Sequence, residues 1–393
     1  MPTPHYGFSE RQIQLAKDVR RFVEQECSRQ SSREAEEAKE FREELWEKLI
    51  KKGWSGLTIP REYGGTGETI MELCVVFEEL AKGFFEGAAR FMGDLVFGGH
   101  IITAHSGESQ KNLLLPELAK GKMHFSIALT EPSGGSDLLS LSTTADPDDG
   151  AYRLNGSKMF VTLAHKVDYI IPLAITDPNA KAAKKTQGLS FFLVPSDSPG
   201  LRIRRLDTVG WGVVGTNEVF LNDVRVPAEN VLGELNMGWD YIVGSLNYER
   251  IGFAAMMVGI AQTVFDDVLN YVKEKQVSGR PIGQSQVVQQ ALGQVAIEIE
   301  NARLHVYRAA WLDNIGKQCD VEAAMALSIG AATARNAAIE GMRITGEDMY
   351  LEEYDIYDLM RQFTTAKPLA VVPFSNEMRL IHIAESYGLP RSY

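Results

Sequence analysis

The chain is poor in the features that mark several large functional classes. Among 393 residues there are three cysteines, Cys27, Cys74 and Cys319, far apart and odd in number. That excludes a disulfide framework, and no metal-ligand spacing links them, so no metal site is expected. Reduced structural thiols of this kind point to the cytoplasm. No apolar run approaches the roughly 18 residues that would suggest a membrane-spanning helix; the segment Tyr169–Ile175 is short and contains Pro172. Basic charge is in deficit, with 40 Lys and Arg against 52 Asp and Glu and a net charge of −12. No basic stripe is available for nucleic acid, although a local cluster of donors would suffice for a phosphate-bearing cofactor. No G-x-G-x-x-G follows a strand, which removes support for a Rossmann-type site. A targeting segment is also missing from the first residues. Ser9, Glu10, Arg11 and Gln12 have the form of a helix capping box and charges follow at once, so the chain reads as soluble and as starting close to its mature end.

What is present is an ordinary globular composition, 45% hydrophobic and 23% charged, in a chain long enough for two or three domains. Residues 1–123 read as an all-helical N-terminal domain. Phe41, Leu45 and Leu49 make one stripe, and Leu73, Val76, Phe77 and Leu80 another, with a glycine- and proline-rich loop at residues 60–67. Residues 124–235 read as a central β-domain. Phe125, Ile127 and Leu129 alternate, residues 150–156 read as strand and turn, residues 189–195 as a buried strand, and residues 217–227 as a strand ending at a proline. Such spacing predicts a small barrel or sandwich. Residues 236–393 read as a helical bundle: Phe253, Met257, Ile260, Val264 and Val268 share one face, and further helical runs cover 285–315 and 321–344. The fold class is therefore α+β and multidomain: helices, then a β-barrel, then a four-helix bundle.

Two stretches carry chemistry. Ala128-Leu-Thr-Glu-Pro-Ser-Gly-Gly-Ser-Asp137 is either a plain glycine-rich turn after a strand or a donor site. In the second case Thr130, Ser136 and free N–H groups around Gly134 and Gly135 would suit a flavin pyrimidine edge or a phosphate. Tyr152-Arg-Leu-Asn-Gly-Ser-Lys-Met-Phe-Val-Thr162 is a turn feeding a strand, with Phe160 and Thr162 expected on one face; Phe160 is either core or a contact. Trp211, between two glycines, is expected to pack the β-domain, and His100, His105 and His124 to hold surface or capping roles.

Thr-Glu-Pro-x-x-Gly-Ser-Asp, Leu-Asn-Gly-x-Lys-x-Phe-Val-Thr and Phe-Leu-Asn-Asp-Val-Arg-Val-Pro, in this order, resemble the acyl-CoA dehydrogenase family over nearly the whole chain. The resemblance implies FAD, an acyl-CoA substrate, and an electron-transfer flavoprotein or similar acceptor. It implies that Thr130 and Thr162 bond the flavin ring, that Phe160 packs on it, that Leu129 adjoins it, and that Ser136 lies near flavin and pantetheine. Asn247 would meet the CoA end and Arg250 the acyl pocket. Lys275, Gln286 and Gly346 would hold the ADP half of FAD across a subunit interface.

Most of the family draws its catalytic base from a C-terminal loop, whose usual position corresponds to Pro373. Residues 361–376 hold no carboxylate. A subgroup that includes isovaleryl-CoA and long-chain enzymes places the base on a helix just before an arginine, and Glu249 before Arg250 fills that place. Its helical face carries Ser245, Phe253 and Met256, a mostly apolar wall suited to raising a carboxyl pKa. Three departures stand out. Lys275 replaces the expected arginine, with Ser278 where a phenylalanine is expected. Glu347 and Asp348 stand in the turn that begins at Gly346, where a pyrophosphate would lie. Proline at 373 lacks the N–H that polarises the thioester, which leaves Val372 or Phe374 to offer an amide. The resemblance implies a homotetramer; the departures also suit a mixed tetramer with a related subunit, or different chemistry such as a hydroxylase or desulfinase acting on a CoA-like substrate.

Overall fold

The computed structural model describes residues 7–372 and 375–391. Seven helices come first: α1 (Glu10–Glu26), α2 (Arg29–Ala38), α3 (Glu43–Ile50), α4 (Ile70–Leu80), α5 (Phe85–Phe91), α6 (His100–His105) and α7 (Glu108–Ala119). Nine strands follow: β1 (Phe125–Ala128), β2 (Thr144–Pro147), β3 (Ala151–Thr162), β4 (Tyr169–Ile175), β5 (Leu189–Phe192), β6 (Val194–Pro195), β7 (Leu201–Arg205), β8 (Thr216–Pro227) and β9 (Val231–Leu232), with α8 (Pro178–Ala183) between β4 and β5. The long helix α9 (Gly238–Glu274) leads through a short hairpin, β10 (Gln276–Val277) and β11 (Arg280–Pro281), into α10 (Gln286–Asn314), α11 (Asp320–Thr345), α12 (Leu359–Ala366) and α13 (Asn376–Ser386). The order of helices, strands and helices is the one that the sequence texture predicts.

Local chemistry accounts for the boundaries. Ser9 accepts the Gln12 N–H at 3.2 Å while the Gln12 side chain accepts the Ser9 N–H at 2.9 Å, which closes the expected capping box on α1. The apolar stripes are buried as their spacing requires: Phe41, Leu45 and Leu49 around α3, and Leu73, Val76, Phe77 and Leu80 on α4. The strand β1 departs from expectation. Ser126 and Ala128 are buried along with Phe125, while Ile127 is only half-buried. This strand is covered on both faces, so simple alternation does not describe it.

Compactness groups the chain into two units, Met1–Glu34 with Ile70–Ala88 and Arg250–Tyr393, and Ala35–Thr69 with Ala89–Glu249. In the first, α1 and α4 pack with the later helices. Arg303 on α10 pairs with Glu78 at 2.9 Å, both buried, and Tyr307 donates to the same carboxylate at 2.9 Å. A Cβ at Gly259 would lie 2.2 Å from the Glu78 carbonyl oxygen, so glycine sets the approach of α9 to α4. The most apolar 18-residue window of α9 is 89% buried, so its hydropathy reflects a core helix and not a membrane span.

The second unit is built around the sheet. Its strands run β7-β8-β3-β2-β4-β5-β9, and β1 and β6 also pair with β4. The strand β4 changes partners along its length: Tyr169–Ile171 lie beside β1, while Leu173–Ile175 pair with β5. A strand shared in this way turns a sheet back on itself. A π-helical run, Met92–Gly99, lies against β1. Its Asp94 accepts the Phe125 N–H at 2.9 Å and touches His124 Nδ1 at 2.8 Å. A Cβ at Gly93 would meet the Phe125 carbonyl oxygen at 2.3 Å, so only glycine allows this approach.

Candidate active site

The first site segment is the loop after β1. Its backbone closes on itself, with Glu131 N–H donating to Gly134 O at 3.2 Å and Gly134 N–H returning to Glu131 O at 3.1 Å. Of the two amides expected to be free, that of Gly134 is therefore engaged inside the loop. Ser140 Oγ donates to Asp137 O at 2.8 Å, and a Cβ at Gly134 would fall 2.4 Å from that hydroxyl. These contacts leave Ser133, Gly135 and Ser136 exposed, with Leu129 and Thr130 half-buried.

The second segment is the end of β3. Met159 N–H donates to Thr130 O at 2.8 Å, and Ser126 Oγ to Thr162 O at 2.5 Å, so the end of β3 runs beside β1 and its loop. The pairing with β8 shifts register between Lys158 and Val161, and there Phe160 adopts a left-handed φ of 58°. A bulge thus interrupts the strict pleat on which the expectation of a common face for Phe160 and Thr162 was based. Asn217 Nδ2 holds Val161 O at 2.9 Å, and Leu163, just past the end of β3, is also left-handed at φ 57°. Phe160 remains 59% exposed. An aromatic forced into a costly backbone conformation and left open to solvent is an observation that calls for a function. The Met159–Thr130 and Ser126–Thr162 bonds bring the chain segments that carry Thr130, Phe160 and Thr162 side by side, and an aromatic ring with two hydroxyls is a set of residue types that fits a flat heteroaromatic ring. Trp211 packs in this unit as expected, 8% exposed.

The third element is α9. Glu249 is 8% exposed, and Ser245, Phe253 and Met256 on its helical face are buried. Ser245 donates back to Tyr241 O at 3.0 Å and so presents no free hydroxyl proton along the helix. Asn247 and Arg250 are half-buried. The histidines of α6 differ from expectation. His100 stacks against Tyr248 with ring centroids 4.2 Å apart, and His105 against Tyr241 at 3.9 Å. Burial, assisted by the charge of His105, pushes His100 down to about 4. Aromatic faces of α9 draw these imidazoles off the surface.

Lys275 and Gly346 meet through Asp348. Asp348 forms an ion pair with Lys275 and accepts the Tyr271 hydroxyl at 2.6 Å. The Lys275 bond holds the Asp348 carboxyl below its ordinary range, and that same bond raises Lys275. Gly346, with φ 57° and ψ −132°, closes α11 in a conformation that favours glycine. Gln286 opens α10 and is exposed. Pro373 and Phe374 lie outside the described residues. Val372, one of the two proposed amide donors, already gives its N–H to Pro368 O at 3.2 Å. The segment is held by a residue that the sequence did not single out. Arg379, 2% exposed, donates to Leu369 O and Val372 O, both at 3.3 Å, and to Ser328 Oγ at 3.2 Å. Burial, with Arg250 nearby, brings it down to about 10. Its position three residues into α13 carries no motif that would have flagged it.

Three family models match in succession: the acyl-CoA dehydrogenase N-terminal domain over residues 9–122, the middle domain over 126–224 and the C-terminal domain over 236–387. The chain belongs to the acyl-CoA dehydrogenase family. It is 32% identical to an acyl-CoA dehydrogenase of Bacillus subtilis, over 96% of this chain and 98% of that one. It is also 32% identical to the caffeyl-CoA reductase-Etf complex subunit CarC of Acetobacterium woodii, over 90% and 93%. The butyryl-CoA dehydrogenase structure from Megasphaera elsdenii superimposes with a TM-score of 0.91 at 29% identity, covering 97% of this chain and 99% of that one. As a family member this acyl-CoA dehydrogenase homologue is an oxidoreductase acting on acyl-CoA, with FAD as cofactor.

Proposed function

We propose that this chain converts an acyl-CoA thioester to its α,β-enoyl-CoA, with Glu249 abstracting the α-proton. The observation that carries the proposal is a carboxylate 8% exposed on a mostly apolar face of α9, in a chain whose residues 361–376 offer no carboxylate. A base in that position accepts a proton most effectively when its pKa is raised toward the operating pH. Raising a glutamate by roughly two units corresponds to about 3 kcal/mol against the charged form, which an apolar wall covered by substrate can provide. Arg250, the next residue, projects about 100° away around the helix and does not neutralise Glu249 face to face.

The chemistry that a bound FAD would supply is that of an acceptor for the β-hydride. The chain's own residues set the geometry: the hydroxyls of Thr130 and Thr162 donate toward the ring, Phe160 covers one face beside Leu129, and Ser136 and Asn247 contact the pantetheine and CoA end. A base carried on the helix goes with a branched, bulky or long acyl group, which we assign as the substrate class. Electron-transfer flavoprotein is the proposed acceptor, supported by the likeness to the Etf-complex subunit.

For assembly we propose a homotetramer in which Lys275, Gln286 and Gly346 serve the ADP half of FAD. A second reading is favoured by the Asp348 carboxylate, which occupies Lys275: this chain supplies ring contacts and base within a mixed tetramer, and a related subunit supplies the ADP contacts. The test is a visible spectrum of the purified chain, then anaerobic titration with a panel of acyl-CoAs. Bleaching of the flavin bands by one thioester in the wild type, slowed by roughly a hundred- to ten-thousandfold in Glu249→Gln, is expected. Equal bleaching in both proteins refutes the assignment of the base. A colourless chain that takes up no FAD points to the mixed assembly.

A further inference from the structure

Beneath the exposed loop and Phe160 lies a pair of charges that no step above uses. Lys158 Nζ is 2.8 Å from Glu131 Oε1, with side-chain exposures of 0% and 2%, and it also donates to Leu129 O at 3.3 Å. Glu131 accepts four further bonds, from Ser142 N and Oγ, both at 2.7 Å, and from Thr143 N at 3.0 Å and Oγ1 at 2.6 Å. One carboxylate therefore gathers three separate segments of chain. Each member of the pair is close in sequence to a proposed flavin contact: Glu131 directly follows the half-buried Thr130, and Lys158 lies two residues before the exposed Phe160. The approach is tight, since a Cβ at Gly156 would fall 2.3 Å from Thr143 Oγ1.

Stability does not explain the pair. Burial lowers Lys158 to about 8 despite Glu131, which weighs against the charged folded form. Burial alone would raise Glu131, yet Lys158 and the hydroxyls bring it down to about 2, which favours its charged folded form. The two effects oppose one another, as is common for buried ion pairs, whose removal as a unit is often neutral. What the pair does supply is position: a short, directional link between the loop after β1 and the end of β3.

We infer that Lys158 and Glu131 are positioning residues for the flavin, holding Thr130 and Phe160 at the spacing the ring requires. The inference rests on the reading of those two residues as flavin contacts. Lys158→Met, the double variant Glu131→Gln/Lys158→Met and Glu131→Gln alone test it against wild type. Melting temperature, FAD affinity and visible flavin CD are measured, along with amide exchange of the apoprotein over residues 129–137 and 157–162. Lys158→Met should both melt earlier and bind FAD about 10- to 100-fold more weakly, the range for loss of a charged hydrogen bond. The double variant, with no lone buried charge, should recover most of the melting temperature, yet keep the weak binding, the altered CD and the faster exchange. Glu131→Gln, which strands the buried Lys158 and turns an amide NH2 toward the Ser142 and Thr143 donors, should melt earlier and bind FAD more weakly, as Lys158→Met does. A double variant that binds FAD as wild type with unchanged CD overturns the inference, as does unchanged exchange in Lys158→Met. If wild type alone takes up no FAD, as the mixed assembly expects, the affinity and CD arms are measured on that assembly, and exchange in the isolated chain decides whether the pair holds the loop.

Discussion

Phe160 offers a prediction whose sign is unusual. At an ordinary strand position glycine is less stable than alanine by roughly 0.5–1 kcal/mol, because its chain loses more freedom on folding. Phe160 instead sits at φ 58°, where a residue with a Cβ is disfavoured by roughly 1–2 kcal/mol and glycine is not. Phe160→Gly should therefore be more stable than Phe160→Ala, by about 0.5–1 kcal/mol after the entropy of glycine is deducted. Relative to wild type the balance is close. With 59% of the residue exposed, 100 − 59 leaves 41% buried. For a side chain of about 200 Å² this is roughly 80 Å², or about 2 kcal/mol at ~25 cal/mol per Å². After the entropy of glycine is deducted, relief of the left-handed strain returns about 0.5–1 kcal/mol of that, so Phe160→Gly should unfold within about 1.5 kcal/mol of wild type, against the roughly 3–5 kcal/mol of a core Phe→Ala change. The assay is urea unfolding of the apoprotein, with FAD binding measured in parallel; both variants should bind FAD more weakly. A Gly variant less stable than the Ala variant would refute the left-handed geometry. A loss above about 3 kcal/mol in Phe160→Gly would mean that the ring packs as core.

Other expectations follow from the same site. His100, brought down to about 4 from an ordinary 6.5, resists protonation only in the folded state. Its contribution is complete above pH 6.5 and is lost as pH falls through 6.5 towards 4. His100→Phe should flatten the stability–pH curve over that window by about 3 kcal/mol, and an imidazole NMR signal already charged at pH 6 would contradict this. Asp348→Asn should release Lys275 and tighten FAD binding roughly two- to fivefold, the modest range of an exposed ion pair. Unchanged affinity by calorimetry would show that Lys275 does not face a phosphate. Glu249→Gln should retain its flavin spectrum while losing reduction by acyl-CoA, so a Gln variant that loses the flavin would mark Glu249 as structural.

Much of the architecture was legible because helical burial follows local spacing. The stripe Phe253, Met257, Ile260, Val264 and Val268 is buried throughout, as any amphipathic helix with one covered face must be. The capping box at Ser9 closed as written, since all its atoms lie within one turn. Prediction failed where partners come from distant segments. Alternation misdescribed β1 because Phe125 faces a π-helical run some thirty residues earlier. His100 and His105 read as surface residues because nothing nearby in sequence announces Tyr248 and Tyr241.

The candidate site divides along the same line. Sequence alone determined which residue types stand at 130, 136, 160, 162 and 249, and that residues 361–376 hold no acid, because motifs and absences are properties of the chain order. Only the tertiary structure decided how those residues are held. The left-handed turn at Phe160 arises where β3 shifts register against β8, whose Asn217 holds Val161 from 56 residues away. The Glu131–Lys158 link spans 27 residues, and Arg379 reaches back 51 to Ser328. A polar side chain carries no local mark of which buried partner will satisfy it, and only folding brings that partner within hydrogen-bond distance.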